Sequence, residues 1–121
     1  MSEALRMDRT DYRYNLEYRA TVKAGMLALA RGLISGDLGV IEAARELASF
    51  CDVPEQALGA VLNVFVGIRS ETDALPIGKL RAFWNSEALA RKDEEIKAAE
   101  EHWRDHALDA AKQLVRLLEQ P

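Results

Sequence analysis

From Glu87 to about Glu119 the apolar residues Leu89, Ile96, Ala99, Trp103, Ala107, Ala110, Leu114 and Leu117 recur by threes, fours and sevens, the spacing of one long amphipathic helix. Asn85 or Ser86 supplies its N-cap. A continuous helix of this extent is roughly 50 Å long, which exceeds the diameter of a compact domain of 121 residues. The segment therefore dictates the architecture. Either it kinks where Lys92 and Asp93 interrupt the stripe, or its first turns project from the bundle and pack on something else.

The rest of the chain is read as shorter helices. Leu16, Leu27, Ala30 and Ile34, with Tyr18, Val22, Met26, Leu29 and Leu33 beside them, give helical spacing from about Asp11 to Ile34, and Gly36 stops it. Gly25 and Gly32 interrupt this pattern and predict close approach of a neighbouring helix. Asp37 is the expected cap of a second helix with the stripe Ile41, Ala44, Ala48 and Cys51. Asp52 and Glu55 then form a capping-box pattern around Pro54, opening a third helix from Val53 to about Ile68. That helix is apolar almost all round, so it is expected to be the central, most buried element. The run VLNVFVGI also suits a strand, but no partner strand exists elsewhere. Pro76 opens a short helix with Ile77, Leu80 and Trp84 on one side.

The sum is an all-α single domain: a bundle of four main helices, plus one short helix after the SETDALPIG turn. Residues 1–10 and 120–121 are expected to be flexible ends. Net charge of −4 argues against a general nucleic-acid binder, which needs a basic face, and leaves basic protein partners open. A single cysteine, Cys51, excludes an internal disulfide and points to a reducing, cytoplasmic setting. The runs AGMLALARGLI and ALGAVLNVFVGI are too short to span a bilayer, and the N-terminus is too charged for a signal peptide.

The SETDALPIG turn is the densest cluster of unusual residues. Ser70, Thr72 and Asp73 can bond nearby backbone, Pro76 fixes one dihedral and Gly78 permits an unusual one. The structural reading is a loop locked by Glu71 or Asp73 on Arg81, with Leu75, Ile77 and Trp84 anchored in the core. The functional reading presents Glu71 and Asp73 as an acidic pair, either to a basic partner or for catalysis, and the latter needs a polar cleft that the sequence does not show. Elsewhere the chemistry is sparse. His102 and His106 resemble half of a zinc site, but Trp103 stands where a metalloprotease helix has Glu, and a solvated helix face is the better reading. Cys51 falls near a helix C-terminus, which disfavours a thiolate, so a buried structural thiol is expected. No GxSxG elbow is present, and the phosphate-loop pattern around Gly78 and Lys79 fails at two positions. Tyr12, Tyr14 and Tyr18 with Arg9, Arg13 and Arg19 form a basic aromatic segment. Tyr14 and Tyr18 packing on the bundle is favoured over binding of single strands.

The segments IEAARELASF, FVGIRSETDALPIGKLRAFW and SEALARKDEEIKAAEEHWR together resemble a widespread family of small uncharacterised bacterial proteins. That family's pattern is a GARxLxxL-like helix, a SETDxLPxGxxRxxW segment and a glutamate-rich final helix. The likeness covers most of residues 24 to 118. Arg69 stands where the family has an acidic residue and Ala43 where it has glycine. The resemblance supplies no established catalytic residues, so none is carried over, and no cofactor or metal is expected.

Size, acidity and helical make-up are similar to those of immunity proteins, which block a cognate toxin. The expectation is a toxin-neutralising binder with no catalysis of its own, contacting its partner through Glu71 and Asp73 in the turn and Glu94, Glu95, Glu100, Glu101 and Asp105 on the last helix. Ser70, Pro76, Gly78, Arg81 and Trp84 shape the turn. The rival is a self-associating structural or regulatory protein, a homodimer through the heptad-like stripe from Ile96 to Leu117.

Overall fold

A computed structural model describes residues 15–120. They form α1 (Leu16–Ser35), α2 (Val40–Ala48), α3 (Gln56–Thr72), a 3-10 strap (Gly78–Phe83) and α4 (Ser86–Leu118), with no strand among the described residues. The all-α bundle of four main helices and one short one is therefore the observed fold. No described helix is long and apolar enough to cross a membrane.

Asn15 caps α1, its side-chain oxygen accepting the Tyr18 N–H at 3.0 Å. Asp11, Tyr12, Tyr14, Arg9 and Arg13 lie outside the described residues, while Tyr18 is exposed rather than packed. Gly36 ends α1 as expected. Its φ of 88° is the left-handed region that only glycine enters freely, and its N–H donates to Leu33 O at 3.2 Å. Gly32 does meet a close neighbour, but it is the Leu38 side chain of the following loop and not another helix.

The core gathers Met26, Ala30 and Leu33 of α1, most of α2, one face of α3, and Ala107, Ala110, Ala111 and Leu114 of α4. The expectation that the third helix is the most buried is corrected. Helix α2 holds the centre, touching all three other main helices and burying Val40, Ile41, Ala43, Ala44, Leu47 and Ala48. Helix α3 buries Leu58, Val61, Leu62, Phe65 and Ile68 but leaves Ala57, Ala60, Val64 and Gly67 open. A helix on the flank buries one stripe whatever its composition, and short apolar residues tolerate the other face being wet.

Both ends of the third helix move. The third helix starts at Gln56 with Glu55 as N-cap, not at Val53 with Asp52, because the Val53 N–H still donates back to Phe50 O at 3.2 Å in the turn that follows α2. Its far end runs to Thr72, so Arg69, Ser70 and Glu71 are helical and the turn begins only at Asp73. Since α2 ends at Ala48, Cys51 falls in the intervening turn and is exposed, correcting the expected buried thiol.

Helix α4 is unbroken across Lys92 and Asp93, over 33 residues. The side chain of Asn85 caps it, accepting the Ala88 N–H at 2.8 Å. Its first three turns bury no residue, and the strap lies against them through Arg81 and Trp84. Projection, not a kink, is how the long helix fits. At its other end Glu119 pairs with Arg31 of α1.

Candidate functional site

The turn after α3 is held by groups far away in sequence. Arg45, half-buried on α2, donates from Nη2 to Thr72 O at 2.6 Å and to Leu75 O at 2.8 Å. A guanidinium at this helix C-terminus meets both the last carbonyls and the negative end of the helix dipole. The buried Thr72 hydroxyl donates to Ile68 O at 2.7 Å, closing the same turn from inside. Pro76 is fully buried and Leu75 nearly so. Gly78 then enters the strap at a φ of 63°.

Arg81 does not take Glu71 or Asp73, the partners expected from sequence. It forks onto Asp93 of α4, with Nη1 to Oδ1 at 2.7 Å and Nη2 to Oδ2 at 3.2 Å. The geometry explains the exchange: with α3 extended to Thr72, the strap folds back along α4 and brings Arg81 over Asp93. The Arg81 hydrogen bonds hold the Asp93 carboxyl below its ordinary value, and Asp93 raises Arg81 in turn. Trp84 is not a core anchor. It is 37% exposed and lies under the Lys92 ammonium, 5.9 Å from its ring centroid.

A depressed carboxylate stabilises the folded strap above its unfolded pKa, and that contribution disappears as pH falls through the lower, folded value. The Asp93 carboxyl carbon, followed by NMR, should titrate at lower pH in the wild-type chain than in Arg81→Gln. Equal midpoints would show that the fork is not formed in solution.

The seven carboxylates named as partner contacts divide by role. Glu100 turns inward: Oε1 accepts the Val40 N–H at 2.9 Å and Oε2 the Ile41 N–H at 2.7 Å, so it caps α2 from the middle of α4. This is the cap that Asp37 was expected to provide. The N-cap residue is Gly39, and a Cβ there would stand 3.3 Å from Glu100 Oε1, so glycine leaves room for the carboxylate. Glu95 pairs with Lys92 at 3.0 Å. Glu71, Asp73, Glu94, Glu101 and Asp105 are exposed, and no ion pair within the described residues engages them.

Glu94, Glu101 and Asp105 are spaced by seven and four residues. That puts them on one line of α4, opposite the stripe that buries Ala107 and Leu114. On a rigid helix the steps are about 10 Å and 6 Å. Glu71 and Asp73 lie elsewhere, at the C-terminal end of α3, and Ser70 beside them is exposed.

His102 and His106 are both exposed and flank Trp103, with ring centroids 4.9 Å and 5.9 Å from it. Among the described residues no three His, Cys, Asp or Glu side chains gather as a cation site. Sequence reading missed the roles of Arg45 and Asp93 and the exposed Phe83, and it gave Glu100 to a partner when the residue caps α2. Arg45 shares the polar face of α2 with Glu42 and Glu46, so nothing local singles it out, and the others carry no local signature either. The chain matches no protein-family model, no curated protein and no solved structure.

Proposed function

We propose that this is an immunity-type protein of the bacterial cytoplasm, which docks on a basic cognate toxin domain and occludes it without chemistry of its own. The observation that carries the reading is the row Glu94, Glu101 and Asp105, three exposed carboxylates on the outward line of one stiff helix, none of them in an ion pair among the described residues. No packing contact among the described residues requires acids at these positions, and like charges along a helix face weaken it slightly. Their use is therefore external: they attract a basic surface and speed its approach, while the surrounding helical face supplies contact area. Glu71 and Asp73 form a second, smaller acidic group at the end of α3.

Self-association through the stripe from Ile96 to Leu117 gains no support from the packing. Ala107, Ala110 and Leu114 are already buried within the chain's own core.

Affinity purification from the native cell should recover a stoichiometric basic protein whose toxicity is relieved by coexpression. Reversing the row with Glu94→Lys, Glu101→Lys and Asp105→Lys should slow association roughly 10-fold or more at low salt and flatten its salt dependence. A companion that binds the reversed variant at the same rate would remove the row from the interface. A companion that is acidic, or none at all, would remove the reading.

A further inference from the structure

The two histidines of the chain stand one turn apart on α4. His102 and His106 are both exposed, and no hydrogen bond or ion pair among the described residues engages either imidazole. Residues i and i+4 of a helix face the same way with Cβ atoms about 6 Å apart, a spacing at which two imidazoles close on one ion. Asp109 continues the same line one turn further on. It is exposed, and no ion pair among the described residues engages it. Arg104, the one Lys or Arg from 102 to 109, lies about 200° round the helix from His102, so it does not oppose a cation on this line.

The backbone that carries these groups is held in place. Glu100 is tied to α2 two residues before His102, and Ala107, Ala110 and Ala111 are buried on the inward side. A pair of ligands on a preformed helix loses little freedom on closing, so the second bond forms at high effective concentration. Imidazole nitrogen, completed by carboxylate and water oxygen, suits zinc or copper and not calcium or magnesium, which take oxygen ligands. Among the described residues no three such side chains already converge on one point. These three are exposed, so turning them toward an ion disturbs no core contact.

We propose that His102 and His106, with Asp109 beside them, bind one first-row divalent transition cation, and that the bound ion staples this turn of α4. The ligand set shares no residue with the Glu94, Glu101 and Asp105 row, so the site stands whether or not that row meets a toxin.

Zn²⁺ calorimetry and Cu²⁺ quenching on the full chain test it, in a Cys51→Ser background because an exposed thiol is itself a metal ligand. One Zn²⁺ should bind per chain with a dissociation constant on the order of 10 µM. At about 1 mM Zn²⁺ the thermal midpoint should rise by about 5–10 °C, since only the folded helix presents both imidazoles together. The Trp103 ring centroid lies 4.9 Å and 5.9 Å from those of His102 and His106. Trp84 is about 28 Å away along the helix. Cu²⁺ should therefore quench emission strongly in Trp84→Phe and weakly in Trp103→Phe. His102→Ala and His106→Ala should each weaken Zn²⁺ binding on the order of 10- to 100-fold, with the metal-free midpoint unchanged because both rings are exposed. Asp109→Asn should weaken it about 3-fold. Absence of binding at about 1 mM Zn²⁺ overturns the proposal, as does binding that survives the loss of either histidine.

Discussion

Glu100→Ala is expected to destabilise the chain by about 2–4 kcal/mol in urea denaturation, a large share of the stability of a domain this size. The carboxylate accepts both Val40 and Ile41 N–H groups at the start of α2, at 2.9 Å and 2.7 Å, in a part-buried setting. Each is a charge-assisted bond to a donor that no turn of helix can satisfy, and the charge also meets the positive end of the helix dipole. Helix α2 has no side-chain cap of its own. The loss therefore falls on a short, mostly buried helix that touches all three other main helices, and it should be felt globally. Glu100→Gln separates shape from charge. It keeps one acceptor but turns an amide NH₂ toward the second N–H, so it should recover less than half of the loss. Amide exchange at Val40 and Ile41 should accelerate in both variants. A cost below about 1 kcal/mol for Glu100→Ala would show that water caps α2 equally well.

What the sequence disclosed and what it withheld divide by distance along the chain. The stripe of α4, the Asn85 cap and the Gly36 stop are written within one or two turns, and each is found where periodicity and local chemistry put it. Three other contacts join partners that no local rule relates: Glu100 reaches residues 59 and 60 positions away, Arg45 reaches 27 and 30, and Arg81 reaches 12. Capping rules look three residues ahead, so Asp37 was the natural candidate for α2 and Glu71 or Asp73 for Arg81. Hydropathy misplaced the centre of the bundle for a related reason. Apolar content ranks α3 first, but burial depends on how many neighbours surround a helix, and short α2 sits among three. Trp84 shows the opposite error: a large aromatic reads as core, while here it rests on the surface beneath an ammonium.

Of the acids proposed as contacts, sequence could not distinguish a carboxylate that builds the fold from one left for a partner. Glu100 and Glu101 are adjacent and chemically near-identical, yet one caps α2 and the other points outward. One residue turns a helix by about 100°, and that rotation alone assigns their roles. Any reading of a charged helix as an interface must therefore first remove the members its own bundle consumes, here Glu95 and Glu100.

Arg45→Ala should cost about 2–3 kcal/mol and should also release the turn, a local effect that Glu100→Ala does not share. The guanidinium is the one side chain holding the carbonyls of both Thr72 and Leu75, at 2.6 Å and 2.8 Å, and neither oxygen has a helical partner beyond the Leu75 N–H that bonds Thr72 O at 3.1 Å. Without it the last carbonyls of α3 lose their cation, and the buried Leu75 and Pro76 lose the contact that keeps the strap entry against α2. The Arg81–Asp93 fork is solvent-exposed and holds the strap only from its far side. Limited trypsin digestion should accordingly cut at Lys79 or Arg81 at least 10-fold faster in Arg45→Ala than in wild type under conditions where both remain folded. Arg45→Lys keeps a cation, but its ammonium sits on a shorter stem than Nη2, the one nitrogen that donates to both carbonyls, and should recover only part of the stability. If cleavage tracks global unfolding equally in Arg45→Ala and Glu100→Ala, the clamp has no local role.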